Sequence, residues 1–296
     1  MSVAALTAGA VLASTGLAVP ARVEATPAPA ATASRTAAPA IVAKGGFVMD
    51  DGTGRTLFTK AADTRRSTGS TSKVMTARVV LADRRLDLNA QVTVQKAYHD
   101  YVVAKHASSG GLVVGDRPTV RQLLYAMMLP SGCDAAYALA DTFGSGRTRA
   151  ARVKSFIARM NSTAKGIGLR NTHFDSFDGV GNGSNYSTPR DLTRIASSAM
   201  RYPTFRAVVK TKSVRQSVAM KNGGHRTMTW TNTDTLLGSY RGAAGVKTGS
   251  GPVSLFCLVF AATRGKRTVI GTVLAAPTQA ARTADARKLM DYALKG

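Results

Sequence analysis

The sequence predicts a mixed α/β fold of the α+β kind, and three observations carry that expectation. A β-hairpin reads at the start of the folded part, and two apolar strands joined by a tight turn read near the end. A series of amphipathic helices fills the chain between them.

Residues 3–19 are an apolar, Ala-rich run, too short and too rich in small residues for a membrane span. Val23-Glu24-Ala25 after it fits a small-residue cleavage site, so residues 1–25 are expected to be a secretory signal, although no Lys or Arg precedes the run. Residues 26–40 are Ala, Pro and Thr with a single Arg35, the composition of a flexible linker. That leaves residues 41–296 as the folded domain.

Gly46-Phe47-Val48-Met49 reads as a strand, Asp51-Gly52-Thr53-Gly54 as a turn and residues 55–60 as the returning strand. A helix follows from residue 70 to 81, with Met75, Val79 and Ala82 on one apolar stripe. Residues 91–94 are predicted to be a short strand, and the polar stretch 98–111 receives no element. Thr119-Val120-Arg121-Gln122 is a capping box; the helix it opens aims Leu123/Met127 and Leu124/Met128 at a core, and Pro130 ends it. Ser131-Gly132-Cys133 links it to a second helix over 134–141, and Val153, Phe156, Ile157 and Met160 mark a third. Residues 171–185, rich in Gly, Asn and Asp, form a long loop. Thr188-Pro189-Arg190-Asp191 then starts a helix with Pro at its first position and an acid in its first turn. Residues 214–233 make a hairpin around Asn222-Gly223-Gly224. Residues 253–262 and 267–274 are the two apolar strands, turning at Arg264-Gly265-Lys266, and residues 278–294 are a final helix.

Composition removes several function classes. Glu24 is the only glutamate in the chain and lies in the leader, which excludes H-E-x-x-H metalloproteases and Glu-paired glycosidases. Cys133 and Cys257 are too few for a disulfide scaffold and are expected to be free thiols. His99, His106, His173 and His225 lack metal-ligand spacing. Gly179-Val180-Gly181-Asn182-Gly183 follows no strand, which opposes a dinucleotide site, and Val246 stands where a Walker loop needs glycine before the lysine. The net charge of +24 suits nucleic acid, anionic wall polymers or a membrane surface, but the cations are scattered and no nucleic-acid-reading motif accompanies them. The densest run, Arg147, Arg149, Arg152 and Lys154, has the spacing of an exposed helical face.

Ser70-Thr71-Ser72-Lys73 puts a hydroxyl and an amine one helical turn apart at a helix start, a nucleophile beside a base. The unpaired N–H groups and positive dipole end there favour the negative charge of an attacked carbonyl oxygen. Alone, the pattern is equally that of an N-capping serine and a solvated lysine. Two further elements give it weight. Ser131-Gly132-Cys133 is a tight turn between buried helices that can hold a side chain rigidly. Lys247-Thr248-Gly249, followed by Ser250, sits on a strand edge whose glycines admit a substrate backbone.

In order and context these three elements resemble the motif set of penicillin-binding DD-peptidases and serine β-lactamases. From about residue 46 to the end the chain resembles the low-molecular-mass serine D-alanyl-D-alanine peptidases (peptidase S11 type), and among them the exported streptomycete DD-transpeptidases. Residues 70–76, 129–141, 171–191 and 245–251 carry the match. The resemblance implies a β-lactamase/transpeptidase-like fold: an antiparallel sheet flanked by helices plus a helical subdomain, with the site in the cleft between them. It implies that Ser70 attacks the carbonyl between the two terminal D-alanines of a peptidoglycan stem peptide, and that Lys73 takes its proton. Ser131 would relay a proton to the departing amine, close to Lys247. Lys247 and Thr248 would hold the terminal carboxylate, with Cys133, Gly249 and Ser250 completing the substrate contacts. The N–H groups of Ser70 and Ser250 would form the oxyanion hole. No cofactor or metal is implied, and β-lactam antibiotics would acylate the same Ser70.

Cys133 departs from the family's usual Asn, and a thiol donates and accepts weakly where an amide does both well. It is expected to weaken substrate positioning, a space-filling residue being the alternative. Without a glutamate for deacylation, penicillin release is expected to be slow. The location expected is secreted or cell-wall associated, with anionic wall polymers as further partners and no nucleic acid. The alternative reading is a basic wall-binding protein that keeps the fold without turnover.

Overall fold

The structure, a computed structural model, describes residues 1–13, 16 and 37–295. The chain divides into two units, residues 1–36 and 37–296. In the first, the described residues are exposed and form no helix or strand; the expected cleavage site and residues 26–36 of the expected linker lie outside the described residues. Among the described residues no helix is long and apolar enough to cross a membrane.

The second unit is organised on a sheet. β1 (Gly45–Asp50) and β2 (Thr56–Lys60) are the first hairpin, and β3 (Ser213–Ala219) and β4 (His225–Thr231) form a separate two-stranded ribbon. β5 (Ala243–Gly251), β6 (Leu255–Arg264) and β7 (Arg267–Ala276) complete a five-stranded sheet in the order β2-β1-β7-β6-β5, antiparallel throughout. The first and last thirds of the folded chain therefore meet where β1 pairs with β7. Side-chain alternation sorts the two faces of the sheet. Leu258, Phe260, Val269 and Val273 pack with Leu289 and Met290, while Val259, Ala261, Ile270 and Leu274 join the larger core of the helical body.

That body contains α1 (Lys73–Leu81), α2 (Lys96–Ala104), α3 (Val120–Met128), α4 (Cys133–Phe143), α5 (Arg149–Gly166), α6 (Pro189–Met200) and α7 (Pro203–Lys210), and α8 (Gln279–Lys295) covers the other face of the sheet. α1 is buried on nearly every side, with only Arg78 short of full burial. The capping box at Thr119 forms as predicted: the Gln122 N–H donates to Thr119 Oγ1 (3.2 Å) and the Thr119 N–H to Gln122 Oε1 (2.9 Å). Thr188 caps α6 by accepting from the Asp191 N–H at 3.1 Å, with Pro189 at the first helical position.

Three expectations need correction. Residues 91–94 form no strand; they meet residues 116–119 through one bridge, Gln91 with Thr119, and through the Val92 N–H to Pro118 O and the Val94 N–H to Asp116 O. Pro118 has no N–H to return, so a regular ladder cannot propagate there. The stretch left unassigned at 98–111 contains most of α2, whose one buried residue, Tyr98, gives no apolar periodicity to read. Finally, Arg149 and Arg152 are not merely a solvated face, because both donate to the buried Asp141 carboxylate, at 3.3 and 2.6 Å, beside the Tyr98 hydroxyl at 2.7 Å. α7, absent from the sequence reading, closes the α6 end of the body by burying Phe205, Val208 and Val209.

Candidate active site

A cleft of about 800 Å³ opens where the sheet meets the helical body. Ser70 lies on its wall in a 3₁₀ turn (Gly69–Ser72) that runs directly into α1, so the motif does span a helix start. One turn on, Lys73 is fully buried and its Nζ reaches three acceptors: Ser70 Oγ at 2.8 Å, the Asp178 carbonyl at 3.2 Å and Cys133 Sγ at 3.3 Å. The solvated-lysine reading of the motif is thereby removed. Asp178 sits in the long loop, held by its own carboxylate to the Val180 N–H (2.9 Å) and the Tyr101 hydroxyl (2.9 Å). Burial, then the Asp178 charge, pushes the Tyr101 phenol far up, so it stays a neutral donor.

Ser131, between α3 and α4, adopts a left-handed backbone (φ 70°) that a non-glycine residue enters at a cost of roughly 1–2 kcal/mol. Its Oγ is buried, on the cleft wall, and has no hydrogen-bond partner. That hydroxyl is left free to bond a group entering the cleft. The loop over 109–112 is gripped by the Asp134 carboxylate, which accepts from Ser109 Oγ (2.7 Å) and the Gly110 and Leu112 N–H groups (2.7 and 3.2 Å), while the Gly132 N–H donates to the Ala126 carbonyl (2.9 Å). Cys133 and Cys257 are both buried and free. Burial, opposed by nearby Lys73, raises the Cys133 thiol above its ordinary value, which keeps it protonated and disqualifies it as a second nucleophile.

β5 supplies the opposite wall, and it is one of the two edge strands of the sheet. Its approach to the Ser70 turn needs glycines. A Cβ on Gly69 would stand 3.1 Å from the Ser250 nitrogen, and one on Gly249 would stand 2.8 Å from the Thr68 carbonyl. That closeness brings the backbone of Ser70 and Ser250 to the same end of the cleft. Thr248 and Ser250 line the cleft, Thr248 sharing a hydrogen bond with Thr233 at 2.6 Å. Lys247 is placed differently from its neighbour: it is fully buried behind the wall, with Nζ donating to the Thr248 carbonyl at 3.0 Å. Burial first, and the Lys73 charge second, pushes its ammonium well below the usual lysine range.

The sequence reading missed Arg282. It projects from the first turn of α8 into the cleft, is only 4% exposed, and its Nε has no hydrogen-bond partner. Asp234, the buried carboxylate closest in charge to it, also keeps one oxygen unpartnered, and burial holds its acid above the usual range. No motif surrounds Arg282, and it stands in a run with Arg287 and Lys288, so nothing local distinguished it. His106 and Lys105 likewise appear on the rim of the cleft, His106 with a left-handed φ of 47°. No acidic residue lines this cleft among the described residues, and none of them form a cluster of three or more His, Cys, Asp or Glu side chains able to hold a metal.

Comparison with known proteins decides the family. The family model described as D-alanyl-D-alanine carboxypeptidase, peptidase S11, matches residues 32–278. The chain belongs to the peptidase S11 family. This S11 peptidase is 65% identical over 269 residues to the D-alanyl-D-alanine carboxypeptidase of Streptomyces sp. strain K15, covering 90% of this chain and 91% of that protein. It is 33% identical over 227 residues to DacB2, a D-alanyl-D-alanine carboxypeptidase of Mycobacterium tuberculosis, covering 76% and 72% of the two chains. The crystal structure of the Streptomyces K15 DD-transpeptidase superposes with a TM-score of 0.87 at 66% identity, over 88% of this chain and 100% of that one. The resemblance read from the three motifs is borne out, and so is the fold it implied: an antiparallel sheet packed with helices. The serine D-alanyl-D-alanine peptidase function read from them is borne out as well.

The strain at Ser131 yields a test. Ser131→Gly removes the left-handed penalty and should stabilise the fold by about 1 kcal/mol in chemical denaturation. The same change should slow acylation by penicillin by about 100-fold or more, the usual worth of a positioned proton relay. Loss of stability with acylation intact would mean that Ser131 is there for structure.

Proposed function

We propose that this S11 peptidase works through an acyl-enzyme on Ser70, and the observation that carries the proposal is the 2.8 Å contact between Ser70 Oγ and the buried Lys73 Nζ. In the reactive arrangement the Ser70 hydroxyl gives its proton to a neutral Lys73 amine as Oγ attacks the carbonyl carbon between two terminal D-alanines. The oxyanion so formed is received by the N–H groups of Ser70 and Ser250, at the positive end of the α1 region. Ser131 Oγ, without a partner in the free protein, relays the proton to the leaving amine, and D-alanine departs. Water or an amine from a second stem peptide then attacks the ester on Ser70, giving hydrolysis or transpeptidation.

The substrate's terminal carboxylate is assigned to the Thr248 hydroxyl and the unspent donors of Arg282 on the cleft wall, with Lys247 adding charge from behind. This revises the direct lysine contact implied by the motif alone. β-Lactams present the same carboxylate and a strained amide, and so acylate the same serine. Their leaving amine stays tethered, and among the described residues no carboxylate lines the cleft to serve as the separate deacylating base, which supports slow release. The net charge of +24 and the apolar run at residues 3–19 support export and retention by anionic wall polymers.

Two outcomes are expected. A diacylated Lys-D-Ala-D-Ala peptide supplied with a glycine-type amine should give the amine-coupled product alongside the hydrolysed one by mass spectrometry, and a chromogenic cephalosporin should turn over slowly. Rapid cephalosporin turnover, or neither peptide product, would contradict the assignment. The second concerns pH. Burial disfavours the charged form of Lys247 in the free protein, and a bound carboxylate favours it, so binding takes up a proton. Then kcat/KM should fall as pH rises through the depressed Lys247 value, well below the normal lysine range. Lys247→Arg should move that limb upward, and an uncharged ester of the substrate should not show it; an unchanged limb in both cases would exclude Lys247 as its source.

A further inference from the structure

The far end of β5 from the cleft opens on a second cavity, of about 760 Å³, between α6, α7 and the turn after β1. Arg201, Arg206 and Lys210 line it, against a single acid, Asp51, whose Oδ1 is already engaged by the Ser197 hydroxyl at 2.6 Å. A neighbouring hollow of about 590 Å³ shares Gly242 and Thr263 with it and adds Arg241 and Arg264, so the two adjoin along one basic face. Among the described residues the side chains of Arg201, Lys210 and Arg241 make no hydrogen bond or ion pair. Arg206 spends one nitrogen on the Met200 carbonyl (2.6 Å), and Arg264 is shared with Tyr240 and Asp291.

The floor carries the same polarity. The hydroxyls of Thr263 and Thr268 share one hydrogen bond at 2.9 Å, and two O–H groups sharing one bond leave one proton free to donate. The groove is thus rich in donors and poor in acceptors, and the group it complements is one that only accepts and is negatively charged. Arginine forks match the oxygens of a phosphate in particular. Between the cations lie Met200, Ala243 and Ala244, a smooth apolar surface without an aromatic ring. Nucleic-acid bases would find no stacking platform there, whereas a polyol chain carrying phosphodiesters has nothing to stack.

We infer that this groove is the seat of a phosphodiester-linked polyol polymer, which holds the protein on its matrix while the cleft works. The inference rests on the reading of anionic wall polymers as partners, and narrows it to one face and one chemistry. Ala243 in the groove and Ser250 in the cleft are seven residue steps apart on β5, roughly 23 Å of extended strand. A polymer in the groove therefore leaves the cleft open to a stem peptide.

The test compares the full chain with Arg201→Gln/Arg206→Gln/Lys210→Gln and with a control of equal charge loss on the exposed cations of α5 and its following turn, Lys154→Gln/Lys165→Gln/Arg170→Gln. Dissociation constants are measured for poly(glycerol phosphate) and for polygalacturonate, a carboxylate polymer, at about 0.15 M salt, where distant charges are screened. The groove variant should bind poly(glycerol phosphate) about tenfold more weakly, and the control should change little. Penicillin acylation should be equal in all three proteins, which shows that each is folded. Equal losses in the two variants, or equal affinity of the unaltered chain for both polymers, would overturn the groove as a phosphate site while leaving wall retention standing. No binding of either polymer by the unaltered chain would overturn both.

Discussion

The buried Lys73 is the constraint from which the rest of the site follows. Removing an ammonium from water costs several kcal/mol, and a hydrogen bond to a charged group returns about 1.5–3 kcal/mol. Three acceptors around one Nζ can offset the burial where one could not. They come from separate parts of the chain: Ser70 from the turn before α1, Cys133 from the start of α4 and the Asp178 carbonyl from the long loop. Each of those segments must be in place for the lysine to be tolerated, and the lysine in turn fixes the serine.

The same logic explains why the sheet and the helical body are joined as they are. β5 is an edge strand, so one side of its backbone is free to meet a substrate while β6 holds the other. Gly69 and Gly249 let that edge approach the Ser70 turn so closely that a Cβ on either would crowd the facing backbone, at 3.1 Å from the Ser250 nitrogen and 2.8 Å from the Thr68 carbonyl. Asp134 gathers the 108–112 loop against α4, and the Trp230 indole closes it from β4 by donating to the Gly110 carbonyl at 2.7 Å. Ser131 can then be held in a conformation it would not adopt by itself. Burial of Lys247 behind β5, together with the charge of Lys73, pushes the Lys247 ammonium well below the usual lysine range.

Much of this was legible in the sequence, for identifiable reasons. The hairpins, the apolar strands over 253–274 and the capped helices announce themselves through period, turn residues and caps, all local properties. That Ser70, Lys73 and Ser131 come together was legible because Ser70 and Lys73 stand one helical turn apart and Ser131 sits in a tight turn between two helices. Arg282 was not, because it reaches the cleft from the last helix through tertiary packing and no neighbour in sequence shares its role. Lys247 was found but assigned to the wall itself; burial is a property of the layer behind β5, which a strand pattern does not reveal. α2 escaped for the opposite reason to Arg282: it is a surface helix with one buried side chain, and periodicity has little to report where little is buried.

The account stands on a serine made reactive by a buried lysine, and the most direct measurement is the site of penicillin attachment. The full chain and Ser70→Ala, each exposed to penicillin, would be weighed intact by mass spectrometry and then digested to locate the added mass. One penicilloyl group, on Ser70 and absent from Ser70→Ala, is the result the structure predicts. Attachment to Cys133 or Ser131, or equal labelling of the alanine variant, would contradict it.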